Sequence, residues 1–240
     1  MTQPPDERFS VPLYTLREAA THLGVPGQTF SRWARGYTAP RPSGKPTVSP
    51  PVVTSLRGEP GRPVVPFVGL AEGMVLAAIR RAGVPLQRIR PALAALEREL
   101  GVAHALASER LYTDGAELLY DYAGTTSDED VREGLQNLVV ARSGQRVFAE
   151  VVAAYLRRIS YADDGWAMRV ELPAYHVATV LADPRVNFGQ PYFAIGGVRV
   201  EDVLDRWHAG ESWDELAGDY GIPAREIEDA VRVSKQRAAA

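Results

Sequence analysis

The sequence predicts an α+β fold that is mostly helical, with a helix-turn-helix pattern near each end and a short β region between them. Three observations predict it. Apolar residues recur at helical spacing in short runs that stop at glycine, the first being Leu16, Ala19, Ala20 and Leu23 before Gly24. Eight prolines between Gly36 and Pro66 break any long helix there. Trp166, Met168, Val170 and Leu172 alternate with Ala167, Arg169 and Glu171, as in a half-buried strand. The chain has 240 residues, 45% of them hydrophobic and 24% charged, so it buries a core and is not mainly disordered.

Taken in order, residues 1–12 are polar and proline-containing and read as a loose arm. A helix over Tyr14–Leu23 begins at Thr15, whose spacing to Glu18 is that of a capping box. A short helix, Gln28–Arg35, follows. Within the proline-rich stretch, Val52–Leu56 and Val64–Val68 are β-branched runs around Arg57-Gly58-Glu59-Pro60-Gly61-Arg62, which predicts a hairpin wing with an arginine-bearing tip. Helices over Leu70–Arg81 and Leu86–Leu100 flank Gly83-Val84-Pro85. The segment Val147–Ile159 keeps helical spacing, and Asp163-Asp164-Gly165 is a turn before the Trp166–Leu172 strand. Three short helices, at about 200–209, 212–220 and 224–235, close the chain. These breaks divide it into residues 1–100, a mixed region 101–180 and a small helical domain 181–240.

Charge separates the two ends. Residues 1–100 carry 13 Lys and Arg against 7 Asp and Glu, whereas residues 101–240 carry 14 against 23. A basic front half suits nucleic acid and an acidic back half does not. In the second helix, 100° per residue puts Phe30, Trp33 and Ala34 on one side and Gln28, Ser31, Arg32 and Arg35 on the other. Gln pairs with adenine and Arg with guanine in a major groove, while Ser31, Thr29 and Tyr37 suit phosphates. Arg41 and Lys45 continue this surface, and Arg57 and Arg62 extend it onto the wing. A helix pair with a solvated polar face is the plainer reading of the same pattern.

Tyr14-Thr15-Leu16-Arg17-Glu18-Ala19-Ala20, Leu23-Gly24-Val25, Arg32-Trp33 and Arg80 to Arg90 together resemble MerR-type winged helix-turn-helix regulators. The long proline-rich insertion, and the lack of a dimerising coiled coil and of effector cysteines, depart from that family. Near the other end, Asp183 to Pro191, Gly196 to Val200, Ala209 to Ser212 and Asp219 to Pro223 resemble a small domain of unassigned function found in antitoxins beside PIN-like ribonucleases. As a whole the chain is similar to VapB-class antitoxins. That resemblance implies a cytoplasmic type II antitoxin that binds double-stranded operator DNA and neutralises a PIN-type ribonuclease toxin. A homodimer is expected, because two-fold operators suit two-fold proteins. The alternative is a stand-alone MerR-like regulator with an effector-binding C-terminal half.

The second helix-turn-helix differs electrostatically from the first. Its last helix places Arg225, Glu228, Asp229 and Arg232 where the first has its polar face, and residues 199–235 hold five basic and ten acidic residues. It is expected to meet protein, with Trp207 and Trp213 as anchors or as core. The antitoxin resemblance suggests that Arg232, Lys235 or Arg237 enters the acidic metal site of the toxin. No catalysis and no cofactor are expected. The chain has no cysteine, and the histidines at 22, 104, 176 and 208 lack metal-ligand spacing. Asp128-Glu129-Asp130 and Asp163-Asp164 suit helix caps and turns. Pro46 interrupts the one P-loop-like run, and no apolar stretch approaches the ~18 residues of a membrane span.

Overall fold

The computed structural model describes residues 6–41, 44–142 and 145–239. Two compact units emerge. The first joins residues 1–70 to residues 169–240, and the second is residues 71–168. This grouping differs from a division in chain order, because both helix-turn-helix elements fall in the first unit.

The first unit opens with a one-turn helix, α1 (Glu7–Ser10), where a loose arm was expected. Asp6 accounts for it: its carboxylate accepts from the Arg8 amide at 2.9 Å and from the Arg8 guanidinium. Helix α2 (Leu16–Leu23) has the capping box that Thr15 and Glu18 predict, and ends at Gly24 with φ of 64°. Helix α3 (Gly27–Arg35) packs Phe30, Trp33 and Ala34 inward. The chain then turns at Gly36, with φ of 71°. A Cβ there would come within 2.4 Å of the Ser49 carbonyl, so only glycine allows this exit.

The hairpin lies elsewhere than the sequence suggests. It is formed by β1 (Tyr37–Arg41) and β2 (Gly44–Ser49), paired antiparallel from Tyr37↔Ser49. Pro40 falls where the register shifts between Ala39 and Arg41, and a two-stranded ribbon has a free edge on both sides, so proline is tolerated. Val52–Leu56 and Val64–Val68 do not form the expected strands. The Val52 and Val53 amides donate to the Trp33 carbonyl, Val64 and Val65 pair with Tyr14, and Val68 belongs to α4 (Phe67–Arg81). One bond from the Leu56 amide to the Val64 carbonyl, 2.7 Å, still closes the Arg57–Arg62 loop.

The chain passes into the second unit within α4, which begins three residues earlier than expected. There α5 (Leu86–Leu100), α6 (Glu109–Thr125) and α7 (Glu129–Gln136) pack together. Asp128 caps α7 by accepting from the Val131 amide, so that acidic cluster is a helix start. The segment read as helical from Val147 to Ile159 is divided: β3 (Val139–Arg142) pairs with β4 (Gln145–Phe148), then come α8 (Glu150–Leu156) and β5 (Ile159–Tyr161). His104, at φ of 60°, lies 2.9 Å through Nδ1 from the buried Glu72 carboxylate.

Strand β6 (Ala167–Glu171) returns the chain to the first unit, pairing there with β7 (Val180–Ala182), and β7 with β8 (Tyr192–Phe193). Helices α9 (Val200–His208), α10 (Trp213–Tyr220) and α11 (Ala224–Ala239) complete it. Helix α11 packs on α2. The fold is therefore α+β and mostly helical, with a helix-turn-helix at each end of the chain.

Candidate nucleic-acid interface

Helix α3 is held by its buried side. Phe30 is fully buried and meets Trp33 edge-on, with ring centroids 6.2 Å apart. The Trp33 carbonyl also receives the Val52 and Val53 amides, which ties the far end of the hairpin to the helix. The opposite side faces water: Gln28, Arg32 and Arg35 are exposed, and Thr29, Ser31 and Tyr37 are half-buried. The Arg32 guanidinium lies 5.7 Å from the centre of the Tyr37 ring, a cation–π contact that pre-orients it while leaving its N–H donors outward. Pro26 caps α3 without a side-chain acceptor for its first amides. Arg57 and Arg62 are exposed on their loop. The backbones of Arg41 and Lys45 lie in the hairpin, and their side chains fall outside the described residues.

The second helix-turn-helix is built for packing. Asp229, expected on an outward face, is buried, and its Oδ2 accepts from the amides of His176, Val177 and Ala178 at 2.7, 2.8 and 3.1 Å. Burial alone would raise this carboxyl. The three amides and the Arg232 guanidinium outweigh it and hold Asp229 below the usual carboxylate range. Arg232 in turn donates to Asp229 and, at 2.7 Å, to the Ala174 carbonyl. This anchoring crosses more than fifty residues of sequence and leaves no periodic signal.

Trp207 and Trp213 are half-buried and lie against each other, centroids 5.8 Å apart, with the Lys235 ammonium 5.2 Å from the Trp207 ring. The Arg237 side chain falls outside the described residues. Arg206 is clamped by Glu211 and Asp219, which raise its pKa. A cavity of about 420 Å³ lies in the same unit, lined by Tyr14, His22, Tyr175, Leu204, Val233 and Lys235 among others. Among the described residues no group of three or more His, Asp or Glu is arranged to hold a metal ion, and no helix is long and apolar enough to cross a membrane.

Residues 12–93 match a family model described as "Putative DNA-binding HTH domain", and residues 180–232 match "Protein of unknown function (DUF433)". Over 229 residues the chain is 48% identical to "Putative antitoxin VapB45" of Mycobacterium tuberculosis, covering 93% of this chain and 94% of that protein. The chain belongs to the VapB45 family. It is also 28% identical over 236 residues to "Uncharacterized protein Rv2308" of the same organism, covering 93% and 90% of the two chains. The crystal structure of Rv2018, again from M. tuberculosis, superposes with a TM-score of 0.80 at 45% identity, over 93% of this chain and 99% of that one. In this VapB45-family chain the helix-turn-helix match spans α2, α3, the hairpin and α4, with the exposed polar face of α3 inside it.

Proposed function

We propose that this chain is the antitoxin of a type II pair, which binds operator DNA through α3 and neutralises a PIN-type ribonuclease. The observation that carries the DNA half is the division of α3 into a buried Phe30–Trp33–Ala34 side and an exposed Gln28–Arg32–Arg35 side, within the matched helix-turn-helix. Gln28, Arg32 and Arg35 read base edges. Thr29, Ser31, Tyr37, Arg41, Lys45, Arg57 and Arg62 hold phosphates. The likeness to VapB45 along nearly the whole chain supports the antitoxin half. The protein acts in the cytoplasm as a homodimer, which sets two recognition helices on one operator. Trp207, Trp213 and Lys235 offer the acidic end an aromatic surface beside a cation. Arg232, bonded to Asp229 and Ala174, is positioned to support α11 more than to reach a distant site.

The test is expression of the tagged chain with its native flanking genes, followed by identification of what co-purifies and an RNase assay on the released partner. A second reading, a stand-alone regulator with an effector in the C-terminal half, is favoured by the 420 Å³ cavity, whose lining includes residues of α2, the first helix of the DNA-binding element. Recovery of the chain alone, with DNA affinity altered by a small molecule, would establish that second reading.

A further inference from the structure

Phe188 is 90% exposed and stands at φ of 54° directly after Asn187 at φ of 50°. Two consecutive non-glycine residues in left-handed geometry are uncommon, and here the surroundings enforce them. The buried Tyr14 hydroxyl donates to the Gly189 carbonyl at 2.5 Å, and the Asn187 side chain donates through Nδ2 to the Gly197 carbonyl at 3.1 Å. Gly189 follows at φ of 78°, a third consecutive left-handed residue and one that glycine adopts freely. The bond to Gly197 joins this loop to the turn that carries Ile195, another exposed apolar side chain, at 44%. The fold therefore holds a phenyl ring in water at the cost of backbone strain, on a loop hydrogen-bonded to the turn that carries an exposed isoleucine.

Charge identifies the occupant. Residues 180–232 hold eleven Asp and Glu against five Arg, and Glu201 and Asp202, both exposed and sharing the Arg199 guanidinium so that the trio stays net negative, follow the Ile195 turn in the first turn of α9. In a two-fold pair a second copy would bring the same negative balance to this face, and DNA would be repelled. A ribonuclease binds a polyanion and so presents a basic surface. We infer that Phe188 and Ile195 form the apolar centre, and Glu201 and Asp202 the acidic rim, of the surface on which the ribonuclease docks through its basic RNA-binding face. This rests on the antitoxin reading above.

The test uses the full chain and the ribonuclease recovered with it by co-expression with its native flanking genes, with calorimetric titration and cleavage of a fluorescent RNA. Phe188→Ala, and Phe188→Gly as a variant that accepts the left-handed backbone, should each weaken binding at least about thirtyfold, as loss of a central aromatic anchor does, and restore cleavage. Glu201→Gln with Asp202→Asn should slow association and flatten its dependence on salt. If wild type inhibits and both Phe188 variants inhibit equally well, the docking surface is refuted and the antitoxin reading stands. If the Phe188 variants instead dissociate a homodimer with ribonuclease affinity intact, the occupant is a second copy and the inference is wrong. Unchanged association in the carboxamide variant would overturn the basic partner face. A wild-type chain that neither binds nor inhibits the ribonuclease overturns both readings.

Discussion

Asp229 and His104 carry the sharpest consequences at the level of single residues. Asp229→Ala removes the acceptor of three consecutive amides and leaves Arg232 with one partner, a loss expected to cost about 3 kcal/mol or more in urea unfolding. Because the folded carboxyl titrates below its ordinary value of about 3.9, its stabilisation is present above that pH and is lost as pH falls through the folded value. Asp183, held low against burial by Arg185, acts in the same direction. Thermal melts of the wild type should therefore fall steeply below about pH 4, and those of Asp229→Ala less so. His104 works oppositely. The Glu72 carboxylate raises it, so its stabilisation is complete below about pH 6.5 and is lost as pH rises through the folded value. Asn accepts the left-handed backbone at this position, so His104→Asn should fold and lose the stability change measured between pH 6 and 8.

At the scale of elements, what was legible followed sequence distance. The Thr15–Glu18 capping box, the Gly24 stop, the two faces of α3, and both bounds of α5 all rest on signals within one or two helical turns, and the structure has each of them. The hairpin did not show because Pro40 and Pro46 read as breakers, whereas an isolated two-stranded ribbon tolerates them. Helix α6 went unread, since its apolar positions alternate with Tyr112, Tyr120 and other exposed residues. The Asp229 anchor and the Phe188 conformation are set by partners far along the chain and leave no local pattern. For α3 the expected outcome is specific. Arg32→Ala and Arg35→Ala should each cost about 1–3 kcal/mol of operator binding and relax sequence preference, whereas Arg57→Ala and Arg62→Ala should weaken binding to any sequence and each reduce the salt slope by about one, read by fluorescence anisotropy across a salt series.

For the whole molecule, the two ends of opposite charge balance read from the sequence lie in one compact unit. Residues 1–70 and 169–240 fold together, so the basic α3 face and the acidic helices α9 to α11 share a body, with α11 packed on α2. On the proposed antitoxin reading, such an arrangement would let one chain hold DNA and a basic protein without either partner competing for the other's surface. The measurement that tests the antitoxin proposal most directly is titration of the purified chain into the partner released from its co-expression complex while RNA cleavage is followed. Cleavage should fall to zero at a fixed stoichiometry and return when the complex is dissociated. Cleavage that continues undiminished at a large excess of the chain would contradict the antitoxin reading, and leave a DNA-binding regulator whose ligand remains to be found in the cavity beside α2.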